Sequence, residues 1–226
     1  MTVIFRDDFT GAGSTPLAGT APDGTGFGSF LWSVDSTFSM TRTGGRALGA
    51  QVSGSWNIGG HYGADLTPDE IFVDASEFEA SWVWNTGADG IGDSGIVSTI
   101  LRCYALGGGE GNEFQARLEY GSPSISSLEL IVINTGVVHN SQMYIAPPAA
   151  NSAFPALLTA TEDEVTLNWF GQTLTVSMFG AARPLTSIDI KTINGCSYEY
   201  LVIETATPPA PPVPKWTNYQ NTYEVL

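Results

Sequence analysis

The sequence predicts an all-β protein, an antiparallel sandwich or barrel, ending in an extended arm. Three observations predict it. Apolar and polar residues alternate with a period of two along several segments, as in half-buried strands. Glycine- and asparagine-rich clusters separate those segments at the spacing of short strands. No segment carries an apolar stripe at helical spacing.

The elements follow in chain order. In Glu77 to Trp84, one face carries Phe78, Ala80, Trp82 and Trp84, and the other carries Glu77, Glu79 and Ser81. Glu113 to Tyr120 repeats the pattern with Phe114, Ala116, Leu118 and Tyr120 aligned. Leu128 to Ile133 is apolar on both faces and suits a central strand covered on both sides. Glu164 to Trp169 aligns Val165, Leu167 and Trp169, and Thr173 to Phe179 aligns Leu174, Val176 and Met178. Trp169-Phe170-Gly171-Gln172 joins those two as a tight hairpin. Tyr198 to Ile203 is a second run apolar on both faces. Turns fall at Gly44-Gly45, Gly59-Gly60, Gly107 to Gly109, Asn134-Thr135-Gly136 and Asn194-Gly195. Thr67-Pro68-Asp69-Glu70 offers a cap, a proline and two acids for one short helical turn. Roughly a dozen strands result, and a single domain of this length buries roughly 70% of its unfolded surface.

The chain changes character near Thr205. Residues 1–205 form the domain and 206–226 a separate arm. Thr207 to Pro214 holds five prolines and cannot form a central strand, because proline has no amide proton to donate. It is expected to be polyproline II, rising ~3.1 Å per residue. Pro208, Pro211 and Pro214 stand in a P-x-x-P register, which suits either a ligand of a proline-recognition domain or, the preferred reading, a rigid arm. Beyond the spacer, Trp216, Tyr219 and Tyr223 are expected to dock on a neighbour, since disordered tails are poor in aromatics.

Composition excludes several functions. The 226 residues hold 8 basic and 23 acidic side chains, a formal net charge of −15. Such a chain does not hold nucleic acid by neutralising phosphates, and anionic lipid repels it. It has no apolar run near the ~18 residues of a membrane-spanning helix. The start, Met1 to Phe9, lacks the basic, apolar and small-residue regions of a secretory signal, so the protein is expected to be assembled in a cytoplasm. Cys103 and Cys196 share no metal-ligand spacing and are expected to be buried thiols.

The block Asp8-Phe9-Thr10-Gly11 with Gly13, then Thr15-Pro16-Leu17, Thr20-Ala21-Pro22-Asp23 and Trp32, resembles the start of concanavalin A-like, laminin-G-like jelly-roll domains of bacteriophage virion proteins. Asp163 to Phe179 is similar to the late hairpin of that fold. Ser187-Ile188-Asp189-Ile190 with Tyr198 to Ile203 is similar to its closing segment, whose last strand returns beside the first. The resemblance implies a two-sheet antiparallel jelly-roll sandwich with an extended Pro-rich C-terminal arm. It also implies a structural role in a virion.

Candidate catalytic sets are incomplete. Gly92-Asp93-Ser94-Gly95 resembles a serine-protease nucleophile loop, but the two histidines, His61 and His139, lack that family's context; the segment reads as a polar loop. Glycosidases on this fold carry acids alternating along one strand. Here Glu162-Asp163-Glu164 are consecutive, and Glu77 and Glu79 are followed by Ser81. A cross-strand acid pair is invisible to this test. Asp89-Gly90-Ile91-Gly92-Asp93 lacks the spacing of a dedicated calcium loop and reads as a solvated turn. Asp7-Asp8 reads as a strand end with one carboxylate on a backbone turn. Trp82, Trp84 and Trp169 read as core, and Trp56, in a loop-like setting, is the best exposed aromatic for a sugar.

The expectation is therefore a non-enzymatic bacteriophage structural protein, a capsid decoration or tail or fibre component, without catalytic residues, metal or cofactor. Its partners are other virion proteins, the major capsid or tail subunits, and copies of itself. Contact runs through Pro208, Pro211, Pro214, Trp216, Tyr219 and Tyr223. The alternative is an adhesin domain that recognises a host glycan; a glycoside hydrolase or lyase comes third.

Overall fold

A computed structural model describes residues 1–11, 13–26, 30–34, 39–50, 57–63, 77–88, 95–105, 109–122, 125–134, 136–161, 163–177 and 185–205. Among them are sixteen strands, numbered in chain order, and no helix. They form two sheets in which every paired strand is antiparallel.

The first sheet has nine strands. Its spatial order is β14 (Gln172–Ser177), β13 (Glu164–Trp169), β12 (Ala153–Ala160), β7 (Phe78–Asn85), β16 (Ser197–Thr205), β5 (Ala47–Ala50), β4 (Ser39–Thr43) and β2 (Ser14–Pro16). The first strand, β1 (Thr2–Asp7), pairs with the second half of β16, beyond the point where β5 pairs with its start. The last strand thus returns beside the first, as the resemblance implied. The second sheet has seven strands in the order β11 (Val137–Ile145), β10 (Ile125–Asn134), β9 (Gly109–Ser122), β8 (Gly95–Ala105), β15 (Leu185–Ile193), β6 (Asn57–Gly63) and β3 (Ser33–Val34).

Alternation is what places the core between the sheets. On β7, Phe78, Ala80, Trp82 and Trp84 are at most 2% exposed, while Glu79, Ser81 and Val83 face outward. Phe114, Ala116 and Leu118 of β9 and Leu128, Leu130 and Val132 of β10 face them from the second sheet. Trp82 and Trp169 pack edge to face at 5.7 Å. Two polar bridges tie the layers: Trp84 Nε1 donates to Thr192 Oγ1 at 3.0 Å, and Tyr198 Oη donates to the Ser98 carbonyl at 2.8 Å. Both cross the core, so they fix the register of one sheet on the other.

The runs apolar on both faces are interior strands, but neither is covered on both sides. On β10, Ile131 and Ile133 are half-buried on the outer face. On β16 the cause is a bulge between Tyr198 and Leu201. It changes the parity of the strand, so Tyr198 and Leu201, three residues apart, both point inward.

The hairpin at Phe170-Gly171 is as tight as expected. Trp169 pairs with Gln172, and the two turn residues have φ of +53° and +69°. This is the primed geometry that matches strand twist, with phenylalanine where asparagine or glycine is usual.

The N-terminal block proves to be a structural node. The Asp7 carboxylate, fully buried at the end of β1, accepts from Arg42 on both oxygens at 2.9 and 2.8 Å. Phe9 N–H at 2.8 Å and Trp32 Nε1 at 2.7 Å donate to it as well. Arg42 also reaches Thr20 Oγ1, the Ala21 carbonyl and Asp23. The acid of the opening motif, the tryptophan that precedes β3 and the Thr20–Asp23 turn are thereby held by one guanidinium. The backbone-turn contact expected of Asp7-Asp8 is present, through Asp7. Burial pushes the Asp7 carboxyl above its ordinary value, while Arg42, Phe9 N–H and Trp32 pull against it.

Candidate functional site

The outward face of the seven-stranded sheet carries the densest set of polar groups. Alternation on its long strands sends Arg102 of β8, Glu113, Gln115, Arg117 and Glu119 of β9, Ser127 and Glu129 of β10, Asn140 and Gln142 of β11, and Asp189 and Lys191 of β15 to that side. Register then aligns them. Gln142, Glu129, Arg117, Ser98 and Lys191 form one row across five strands, and Asn140, Ile131, Gln115, Ile100 and Asp189 form the next.

Two arginines organise the acids. Arg102 Nε donates to Glu113 Oε2 at 3.0 Å, and its Nη1 donates to Asp189 Oδ2 from the other side. Gln115 Nε2 closes on the second Glu113 oxygen. Arg117 Nη2 donates to Glu119 Oε2 at 2.5 Å, and its Nη1 lies 3.6 Å from Glu129 Oε2. Gln142 Nε2 donates to Glu129 Oε1 at 2.9 Å and to Ser127 Oγ at 2.6 Å. These side chains are partly exposed, 20–22% for the Arg102 triad, so they face solvent while remaining fixed by one another. Burial presses the Arg102 guanidinium down, but Asp189 and Glu113 outweigh it and hold Arg102 above the ordinary arginine value. Arg117 Nε is buried with no partner among the described residues.

Sequence reasoning missed this face. Glu113 and Asp189 lie 76 residues apart, and only the pairing of β8 between β9 and β15 sets them on either side of Arg102. The period-two pattern from Glu113 to Tyr120 did signal a polar outer face. The pairing order, which sequence alone does not carry, was the missing part. A second acid pair arises the same way on the nine-stranded sheet, where Glu79 stands directly opposite Glu204.

A groove of about 470 Å³ opens at one end of the sandwich. Tyr144, Pro147, Pro148, Phe154, Phe170 and Gln172 line it. Tyr144 is 73% exposed at its lip. Phe154 and Phe170 lie 4.6 Å apart, ring to ring, and Phe170 stacks on Trp169 at 4.7 Å, so the groove floor continues into the buried tryptophans.

Of the residues singled out in the sequence, Trp82, Trp84 and Trp169 are core, at most 1% exposed. Cys196 is a buried thiol whose pKa burial raises. Trp56, Asp89 to Ser94, and Thr67 to Glu70 lie outside the described residues. So do Pro208, Pro211, Pro214, Trp216, Tyr219 and Tyr223. Among the described residues no cluster of three or more His, Cys, Asp or Glu side chains has the geometry to hold a metal ion.

No family model matches the chain, and no curated protein matches it in sequence. Solved structures do. The GlcNAcα1-4Gal-releasing endo-β-galactosidase of Clostridium perfringens aligns over 89% of this chain with a TM-score of 0.57 and 8% identity, and this chain spans 62% of that one. The β-glucanase of Bacillus licheniformis aligns over 87% of this chain and all of its own, with a TM-score of 0.52 and 13% identity. The CBM2 module of the evolved Dit of Lactobacillus casei BL23 phage J-1 aligns over 89% of this chain and 94% of its own, with a TM-score of 0.49 and 13% identity. At such identities likeness extends to the fold alone. The chain is a two-sheet antiparallel jelly-roll sandwich.

Proposed function

We propose that this chain is a non-enzymatic, glycan-binding domain of a bacteriophage particle. One observation carries the reading: among the described residues, every acid on the outward face of the seven-stranded sheet is engaged by an arginine. Such a face supports binding. Sugar hydroxyls need fixed donors and acceptors, and side chains already ordered by their neighbours lose little entropy when a ligand arrives. The same pairing opposes glycoside hydrolysis. That chemistry needs one carboxyl to hand over a proton and another to act as base or nucleophile. Glu113 and Asp189 spend oxygens on the guanidinium between them, and Glu119 and Glu129 spend theirs on Arg117.

A glycan array probed with the whole chain, with and without calcium, tests the reading. Binding to at least one glycan, reduced tenfold or more by Arg117→Met, supports it; an array with no hits in either condition overturns it.

A second reading, favoured by the outer face of the nine-stranded sheet, is a packing role in the virion shell, tail or fibre. That face presents Ser81, Thr159, Thr166, Thr173 and Thr175, short side chains that lose little rotamer entropy when covered. An image of the particle that finds this chain on no virion part would end it.

A further inference from the structure

We propose that the groove beside the β13–β14 hairpin receives the proline-rich arm of a second copy of this chain, with Pro208, Pro211 and Pro214 laid along Tyr144, Phe154 and Phe170. The proposal goes beyond glycan binding and does not rest on it, since the groove and the ion-paired face are different surfaces.

The groove has the chemistry that a polyproline II ligand needs. Such a helix makes no internal hydrogen bonds and presents a proline edge every third residue, which packs between aromatic rings. Tyr144, Phe154 and Phe170 supply the rings, and the Gln172 amide lies at the rim to meet an arm carbonyl. Phe170 occupies its place at a cost. A bulky residue at φ +53° is strained by ~1–2 kcal/mol relative to the asparagine or glycine usual in this turn. The ring it holds against Phe154 is what that strain provides.

Reach decides which copy supplies the arm. Thr205 sits opposite Phe78 on β7, and Phe154 sits opposite Trp84. Six strand residues at ~3.4 Å and two strand spacings at ~4.8 Å put the groove ~22 Å from Thr205. Pro208 is only three residues past Thr205 and spans at most ~11 Å. Moreover β16 runs from beside Asn85 toward Phe78, so the chain leaves the sheet heading away from its own groove. Pro214 alone spans the distance, at ~30 Å, but Pro208, Pro211 and Pro214 laid together along these rings fit only the groove of a neighbour.

Charge favours the same arrangement. Residues 206–226 carry one base, Lys215, and one acid, Glu224, so the formal −15 of the chain belongs to residues 1–205. Two such bodies repel face to face, and an uncharged arm bridges them without bringing the acids together.

The test uses the full chain in two variants. One carries Pro208→Gly, Pro211→Gly and Pro214→Gly; the other carries Tyr144→Ser and Phe170→Asn. In the second, Tyr144 is exposed and asparagine suits the turn, but the Phe170 ring leaves Trp169 and Phe154, so near-ultraviolet circular dichroism and a thermal melt confirm its fold before association is read. Sedimentation velocity is expected to show concentration-dependent association of the wild type and at least tenfold weaker association of each variant alone. An equimolar mixture of the two is expected to form a 1:1 pair, joining an intact arm to an intact groove. A monomeric wild type overturns the proposal. So does wild-type association of the groove variant, or a mixture that stays monomeric.

Discussion

Removing the guanidinium from the N-terminal node tests how far this fold depends on one buried ion pair. Arg42→Met deletes two hydrogen bonds to Asp7, at 2.9 and 2.8 Å, together with those to Thr20, Ala21 and Asp23. Asp7 then keeps two of its four donors, Phe9 N–H and Trp32 Nε1. Breaking a buried pair from one side costs ~3–5 kcal/mol, because the remaining charge stays buried. The surviving donors place the expected loss at the lower end, ~3 kcal/mol. For a domain of this size that is a fall in melting temperature of roughly 6–12 °C. Urea unfolding followed by tryptophan fluorescence reads it directly, with Trp32 inside the node.

The pH dependence follows from the same group. Burial already raises Asp7 against the pull of Arg42, and without Arg42 that rise is less opposed. An acid with a raised folded pKa adds stability below its unfolded value and loses it as pH rises through the folded value. The deficit of Arg42→Met should therefore shrink as pH falls from neutral toward ~4 and level off below that. Adding Asp7→Asn should recover part of the loss at neutral pH. A loss under ~1 kcal/mol, or a deficit that grows in acid, would refute the assignment of the node as a buried, charge-dependent keystone.

Three further outcomes are expected. Burial raises the pKa of Tyr198, so its stabilising neutral form is present below ~10 and stability falls as pH rises above that value; Tyr198→Phe should flatten this alkaline limb in thermal melts while costing ~1 kcal/mol at pH 7. Glu204→Thr removes one of two like charges placed directly opposite on β16 and β7, and should gain ~0.2–1 kcal/mol in urea unfolding, less at high salt. Gly87→Ala should destabilise by ~2 kcal/mol or more, because an added Cβ would lie 2.4 Å from the Gly195 carbonyl oxygen, a backbone atom with no rotamer to move.

The sequence carried the layers of this fold further than its site. Period-two alternation marks Phe78 to Trp84 and Val165 to Trp169 as inward rows, because a strand with one buried face has no other way to be written. Phe170-Gly171 is legible as a turn from its length between two such rows. The bulge in β16 is not legible: a parity change looks the same as a strand apolar on both faces. The Asp7–Arg42 pair was half visible, since the acid stood out but its partner lies 35 residues away with no local signal. For the same reason Arg102, Glu113 and Asp189 meet only once β8 lies between β9 and β15. Local pattern encodes which face a side chain takes, and long-range pairing decides whom it meets there.

The central claim joins two statements, that the face binds glycans and that it does not cleave them, and one measurement reads both. Saturation-transfer NMR of the whole chain with a library of oligosaccharides reports contact with each sugar and, from the same spectra over time, any new reducing end. The account predicts transfer to at least one glycan that stays intact throughout. No transfer to any glycan, or cleavage of the one that binds, would contradict it.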